Sequence, residues 1–303
     1  MEPVKSIWMD GELVPWAEAN VHVLTHGLHY GTGVFEGIRA YGNDEGTAVF
    51  RLSDHMQRLH NSATTYSIPL KYSVDELAAA TRQLLLDNEL DSAYIRPIVF
   101  YGSGTMGLNP SKATVVASIV AFHWGAYLGE EGLQNGIRVK IASWARISPR
   151  SFPAGKATGP YINSVLANQE ATSAGYDEAL LLTEAGNVSE GSGENLFVVR
   201  DGEVLTPPVS DGCLNGITRQ SVIQLLADDG QEVIEKSMTR DDLYAADELF
   251  FTGTAAEVTP IRHLDDHEVG DGTPGLITRR AQELFRDAVG GKLAAYRDWL
   301  DYI

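Results

Sequence analysis

The spacing of apolar and polar residues along this chain predicts short strands interleaved with amphipathic helices. Residues 6–9 and 12–15 flank Asp10-Gly11, a hairpin signal for two short strands. Residues 47–52 read as a strand. Ser53 then suits the N-cap of a helix over 54–66, with Met56, Leu59 and Ala63 marking its buried stripe. Ser73-Val74-Asp75-Glu76 is a capping box that opens a second helix to residue 87. Two β-rich runs follow at 93–101 and 114–124, and strand alternation puts Tyr94 and Arg96 on one face of the first. The glycine-rich stretch 102–110 between them predicts a loop that reaches a pocket mouth or a neighbouring subunit.

Residues 125–132 are polar and glycine-punctuated, and a fresh strand pattern starts at 137. This places a domain boundary there: residues 1–124 form a first domain, 125–136 a linker and 137–303 a second domain. In the second domain, 161–174 reads as a helix and 178–183 as a strand ending in an Ala185-Gly186-Asn187 turn. Later come a strand at 196–200, a helix reaching about residue 227, a strand at 248–252 and a last helix at 275–289. The resulting class is mixed α/β in two domains.

At 303 residues and 44% hydrophobic, the chain is long enough to fill two cores of ordinary size. Charge narrows the partners. Twenty-three basic against forty-one acidic side chains give a net charge of -18, which repels nucleic acid and anionic membranes, so small molecules are expected instead. If the ligand is a small anion, arginines must be gathered locally against this acidic background, and the position of each one matters. Cys213 is the one cysteine and reads as a small buried hydrophobe. No signal pattern opens the sequence and no apolar run reaches membrane-spanning length, so a cytoplasmic protein is expected.

The candidate chemistry centres on Lys156. Of seven lysines, it alone is framed by glycines, in Pro153-Ala154-Gly155-Lys156-Ala157-Thr158-Gly159-Pro160-Tyr161 just before a helix. Such a lysine suits covalent and general-base work, although an exposed loop lysine fits the same run. Ser189-Glu190-Gly191-Ser192-Gly193-Glu194-Asn195 sets two carboxylates among glycines, as either a site or a surface hairpin. Gly216-Ile217-Thr218 opens a helix whose free amides suit an anion, and Gly253-Thr254-Ala255-Ala256 offers a second set of small residues with amides. Arg58 lies just off the buried stripe of its helix, the usual place of a solvating arginine. His22, His26 and His29 lack a supporting cysteine or carboxylate set, so no metal is expected. GxxxxGK[ST] does not occur, and neither of the two GxGxxG runs, at 102–107 and 270–275, stands in a strand–helix–strand unit, which argues against a nucleotide site of those types.

Taken together, His29-Tyr30-Gly31-Thr32-Gly33-Val34-Phe35-Glu36-Gly37-Ile38-Arg39, His55-Met56-Gln57-Arg58-Leu59, Tyr94-Ile95-Arg96-Pro97, Lys156 with Tyr161, residues 189–197, Gly216-Ile217-Thr218-Arg219 and residues 253–260 resemble the branched-chain amino acid aminotransferases. These are pyridoxal phosphate enzymes of fold type IV. The resemblance spans nearly the whole chain, with its motifs in family order. It implies a small N-terminal α/β domain and a larger C-terminal pseudo-barrel domain.

The resemblance also implies roles. Lys156 would form the Schiff base with pyridoxal 5'-phosphate, Glu190 would stand beside the ring nitrogen, Tyr161 would bond the ring oxygen and Leu214 would pack on the ring. Arg58 with Gly216, Ile217, Thr218, Gly253 and Thr254 would hold the phosphate. Substrate would meet Tyr30, Phe35, Gly37, Arg39, Tyr94, Arg96, Leu108, Trp124, Tyr127, Thr254, Ala255 and Ala256, with Arg96 facing the distal carboxylate of glutamate. The Met106-Gly107-Leu108 loop resembles a segment that relatives donate across a dimer interface, so a homodimer at least is expected, with a hexamer as the larger form. The implied reaction is ping-pong transfer of the amino group of leucine, isoleucine or valine to 2-oxoglutarate. D-amino acid and (R)-amine transaminases share the lysine, glutamate and phosphate cup, but their N-terminal motifs differ from Tyr30 to Arg39. An idle cofactor-binding protein is the remaining alternative, opposed by the intact Lys156, Glu190 and Arg58.

Overall fold

The computed structural model describes residues 2–125 and 127–303; Met1 and Ala126, which fall in the expected first domain and linker, lie outside the described residues. Two compact units share the chain. The first comprises Met1–Trp124, Pro153–Tyr161 and Val289–Ile303, and the second Gly125–Phe152 and Ile162–Ala288.

In the first unit, β1 (Ser6–Met9) and β2 (Glu12–Pro15) form the hairpin that Asp10-Gly11 announces, with Asp10 at φ 49°. A short helix α1 (His26–Tyr30) leads to β3 (Gly33–Phe35), β4 (Ile38–Asn43) and β5 (Gly46–Phe50). Helix α2 (Leu52–Thr65) starts earlier than the sequence suggests. Its N-cap is Arg51 in the left-handed region rather than Ser53, and Arg51 Nε donates to Asp54 Oδ2 at 2.6 Å, so a side-chain clasp sets the entry. Helix α3 (Val74–Asp87) opens on the expected capping box, with Ser73 and Glu76 bonding each other's backbone N–H. Met56, Leu59 and Ala63 of α2 and Leu77, Leu84 and Leu85 of α3 fill one core against the sheet. β6 (Ala93–Tyr101) and β7 (Val115–Phe122) pair antiparallel over their length, leaving 102–114 as the loop that its glycines predict.

The second unit begins with a correction. The stretch expected to be a linker contains a helix, α4 (Gly129–Asn135), whose first turn carries Glu130 and Glu131, acidic residues that suit a helix N-terminus. Then come β8 (Ile137–Ile141), α5 (Tyr161–Ser173), β9 (Glu178–Leu182), β10 (Val188–Gly191), β11 (Asn195–Arg200), β12 (Glu203–Thr206), α6 (Ile217–Asp228), β13 (Val233–Glu235), α7 (Arg240–Tyr244), β14 (Glu248–Gly253), β15 (Glu257–Leu264), β16 (His267–Glu268) and α8 (Leu276–Val289). Their sheet runs β10-β9-β8-β15-β14-β11-β12-β13, with β16 on β15. Strands β9, β11 and β14 are buried almost throughout, which is why their centres read as continuous apolar runs rather than alternating ones, whereas β10 is buried yet largely polar.

The chain returns to the first unit twice. At 153–161 it lies along β3, where Phe35 N–H donates to Lys156 O at 2.9 Å and Thr158 N–H to Gly33 O at 2.8 Å. At its end β17 (Leu300–Tyr302) pairs with β5, completing the order β17-β5-β4-β6-β7-β1-β2 with β3 on β6. A single break at 125–136 therefore describes the first crossing only. The later returns depend on pairing between distant residues, which local pattern does not report.

Candidate active site

In the first unit the candidate residues gather around Lys156. Its Nζ donates to the Tyr161 hydroxyl at 2.6 Å and lies 4.9 Å from the Phe35 ring centre. Phe35 and Tyr161 meet edge to face at 4.8 Å. The lysine is half-buried and its main chain is held at both ends: Phe35 N–H bonds its carbonyl, and its own N–H donates to Ser62 Oγ at 3.0 Å. A primary amine fixed against a phenol and an aromatic wall has one position, not the sweep of a surface lysine.

Arg58 is not a solvating side chain. Its Nε and Nη2 donate to the two oxygens of Glu36 at 2.7 and 2.8 Å, and His55 Nδ1–H donates to Glu36 Oε2 at 2.7 Å. Glu36 is fully buried. Burial alone would raise its carboxyl, but the Arg58 charge and the hydrogen bonds of Arg58 and His55 outweigh that and hold it well below the usual carboxylate range. Burial lowers the His55 ring against the opposing pull of Glu36. Arg58 therefore stands in an electrically balanced pair, so its positive field is smaller than the sequence suggests. What the pair gives is orientation.

Strand β6 presents Tyr94 and Arg96 together as alternation requires: Arg96 Nη2 donates to the Tyr94 hydroxyl at 2.7 Å, and the guanidinium lies 4.9 Å from the Phe35 ring. Arg96 Nε is buried with no hydrogen-bond partner among the described residues. Arg39 pairs with Tyr94 across β4 and β6, and its Nη2 donates to Trp124 O at 3.1 Å. Trp124 packs edge-on against Tyr94, and Gly37 lies against the Tyr94 hydroxyl. The Tyr30 hydroxyl donates to Met106 O at 2.8 Å, while Leu108 is 80% exposed. His26 bonds Thr32 and the Gly107 carbonyl, so the histidine-rich stretch serves packing and loop support. Among the described residues, no three His, Cys, Asp or Glu side chains gather as a metal ion needs.

In the second unit Glu190 sits on β10, buried, where the register with β9 shifts between Val188 and Glu190. Its Oε1 pairs with Arg146 Nη2 at 2.6 Å and its Oε2 accepts the Leu214 N–H at 2.9 Å. Asn195 Nδ2 donates to Leu214 O at 2.8 Å, so this main chain is held on both sides. Gly216 is the N-cap of α6, and a Cβ there would stand 2.1 Å from Asn195 Oδ1, so a larger residue would have to push aside the side chain that bonds Leu214 O. No side chain caps α6, so the amides of its first turn, at buried Ile217 and Thr218, have no side-chain acceptor from the N-cap. Gly253 ends β14, and Thr254, Ala255 and Ala256 make the turn into β15, anchored by Thr259 Oγ1 donating to Ala256 O at 2.6 Å. Tyr127 belongs to this unit and is 39% exposed. Burial and the nearby Glu190 push the Cys213 thiol up to about 12, as an inert small hydrophobe requires.

Sequence reasoning missed Arg146 and the supporting roles of Glu36, His55 and Ser62. Arg146 carried no motif that marked it among the other arginines of the chain. In each unit the arrangement offers defined chemistry: an oriented amine beside a phenol in the first, and in the second an ion-paired carboxylate near a helix N-terminus suited to an anion.

A family model described as amino-transferase class IV matches residues 33–264. The branched-chain-amino-acid aminotransferase of Pseudomonas aeruginosa is 52% identical over 294 residues, 97% of this chain and 95% of its own. The structure of the Escherichia coli branched-chain amino acid aminotransferase matches with a TM-score of 0.96 at 47% identity, covering 98% of this chain and 99% of that one. The T.th. branched-chain amino acid aminotransferase complexed with N-(5'-phosphopyridoxyl)-L-glutamate matches with a TM-score of 0.94 at 45% identity, over 99% of this chain and 98% of that one.

Proposed function

The chain belongs to the amino-transferase class IV family, and on that premise we propose that it is a branched-chain-amino-acid transaminase using pyridoxal 5'-phosphate. Leucine, isoleucine or valine gives up its amino group and 2-oxoglutarate receives it. The observation that carries this reading is the Lys156 amine, held 2.6 Å from a phenol and against Phe35. The phosphopyridoxyl and glutamate parts of the ligand named for the T.th. relative support the cofactor and the acceptor.

The residues present fit that cofactor: a primary amine, a phenol, an ion-paired carboxylate, an arginine and a helix N-terminus without a side-chain cap. When bound, pyridoxal phosphate supplies an aldehyde that condenses with amines and a ring that withdraws electrons from the substrate Cα. Lys156 Nζ would be the amine that anchors it and the base for the Cα proton, with the Tyr161 hydroxyl fixing where that nitrogen stands. Glu190, ion-paired with Arg146, would favour a proton on a heterocyclic nitrogen placed against it, and Leu214 would pack on the ring. The amides of Ile217 and Thr218 with Gly216, Gly253 and Thr254 would hold the phosphate, and Arg58 is the cation that the first unit would offer it.

For the substrate, Phe35, Tyr30, Trp124 and Tyr127 form apolar walls, with Gly37, Leu108 and Ala256 adding surface. Arg39 and Tyr94 with the Thr254 and Ala255 amides take the α-carboxylate. Arg96, with its buried Nε–H, meets the distal carboxylate of glutamate. The exposed Leu108 supports a loop completed by a second copy, hence a homodimer or a hexamer built from it. A cytoplasmic location agrees with the absence, among the described residues, of any helix long and apolar enough to cross a membrane. The test is spectroscopic. L-leucine added to the cofactor-loaded protein should convert the bound cofactor to its pyridoxamine form and release the matching 2-oxo acid. A spectrum unmoved by L-leucine but shifted by D-leucine or an (R)-amine would overturn the reading.

A further inference from the structure

Helix α2 carries a polar stripe where an amphipathic helix ordinarily keeps solvent-facing side chains. His55, Arg58, Ser62 and the C-cap residue Tyr66 recur at spacings of three and four, which puts them along one face. Each makes a long-range contact. His55 and Arg58 bond Glu36, Ser62 Oγ accepts the Lys156 N–H at 3.0 Å, and the Tyr66 hydroxyl donates to Pro153 O at 2.9 Å. Ser62 is 2% exposed, and without its hydroxyl the part-buried Lys156 N–H would lose the acceptor it bonds. The run that carries the lysine also lies close to the helix: a Cβ on Gly155 would stand 3.0 Å from Tyr66 Cε2 and 3.5 Å from the Ser62 Cα. Glycine at 155 is thus explained by the closeness of α2 and not by a turn.

We propose that Ser62 and Tyr66 are positioning residues for Lys156, with α2 fixing the main chain from which the amine projects. The inference rests on the assignment of Lys156 as the anchoring amine. Neither side chain is required to touch substrate or cofactor; they act through the placement of one backbone segment. An amine displaced by a fraction of an ångström still binds its partner but meets the substrate Cα proton poorly, and misplacement of about 1 Å can cost roughly a hundredfold.

Ser62→Ala and Tyr66→Phe, made in the full chain and loaded with pyridoxal phosphate, test this. Ser62→Ala should lower kcat roughly tenfold or more, with KM for L-leucine and retention of pyridoxal phosphate within about twofold of the parent. Tyr66→Phe keeps the ring and loses one hydroxyl, so a smaller fall of the same kind, about threefold, is expected. Reconstitution gives a readout apart from turnover: after cofactor removal, the rate at which added pyridoxal phosphate becomes borohydride-trappable on Lys156 should fall in both variants. Two results overturn the proposal. One is unchanged kcat and trapping rate in both variants; the other is a common loss of kcat, KM and thermal stability, the mark of general loosening. If Lys156→Ala itself remains active, the functional reading fails, and that outcome is separate from either of these. Should Ser62→Ala not fold, Tyr66→Phe decides alone by the same split.

Discussion

The two units hold their candidate groups by different means. In the first, Lys156, Arg58 and Arg96 are placed by other side chains: Tyr161, Glu36 with His55, and Tyr94. In the second, Glu190 is clasped by a main-chain N–H as well as by Arg146, and the amides without a side-chain cap belong to the start of α6. Side-chain placement depends on charge balance and therefore on protonation. Main-chain placement depends on glycines and strand register, and substitution reaches it only through positions such as Gly216.

The largest expected effect removes the centre of the first constellation. Lys156→Ala should abolish transamination with little loss of stability, since the side chain is half-buried and fills no core; turnover assays beside thermal melts check this. Next comes Glu36→Gln, which splits a buried ion pair and should cost on the order of 3–5 kcal/mol in denaturant unfolding. Its pH dependence has a definite sign. The folded carboxyl lies below its ordinary value of 4.5, so the stabilisation is present above that pH and is lost as pH falls toward the folded value. The gap between parent and variant should thus be widest near neutrality and shrink on acidification below about 4.5. A gap independent of pH would remove the charge-balance account of Arg58.

Smaller in stability but sharp in rate is Glu190→Gln in the second unit. It should retain cofactor yet lose roughly a hundredfold in kcat, because an amide no longer favours a protonated ring nitrogen. Equal turnover in Gln and Glu forms would show that the ion pair with Arg146 is structural. The smallest and most selective effect is expected from Arg96→Leu. The 2-oxoglutarate half-reaction should suffer by about 1–3 kcal/mol more than the leucine half-reaction, since only a distal carboxylate needs the guanidinium. Equal losses in single-turnover rates would mean that Arg96 chiefly braces Tyr94.

What the sequence made legible was local. The α3 capping box, the shared face of Tyr94 and Arg96 and the glycine frame of Lys156 are all written within a few residues, and all three appear where expected. The family motifs extended this to Glu190 and the start of α6. The partners that give those residues their geometry were not legible. Glu36 meets Arg58 across 22 positions and Ser62 meets Lys156 across 94, distances over which no periodicity carries information. The helical start at Arg51 was hidden in part for the same reason: its clasp to Asp54 is local, but its contact with the distant Trp299 ring is a tertiary fact. Charge reasoning alone misjudged Arg58: a count of arginines gives the number of positive groups but not how many are already matched by a buried carboxylate.

The pairing of β17 with β5 bears on how the protein is made. Phe50 finds its sheet partner in Leu300, so every residue of the second unit leaves the ribosome between the two halves of one strand pair. Synthesis therefore delivers the whole second unit before the first is complete, and β5 waits as an open edge. An open edge on a nascent chain is a template for pairing with a neighbour on the same messenger.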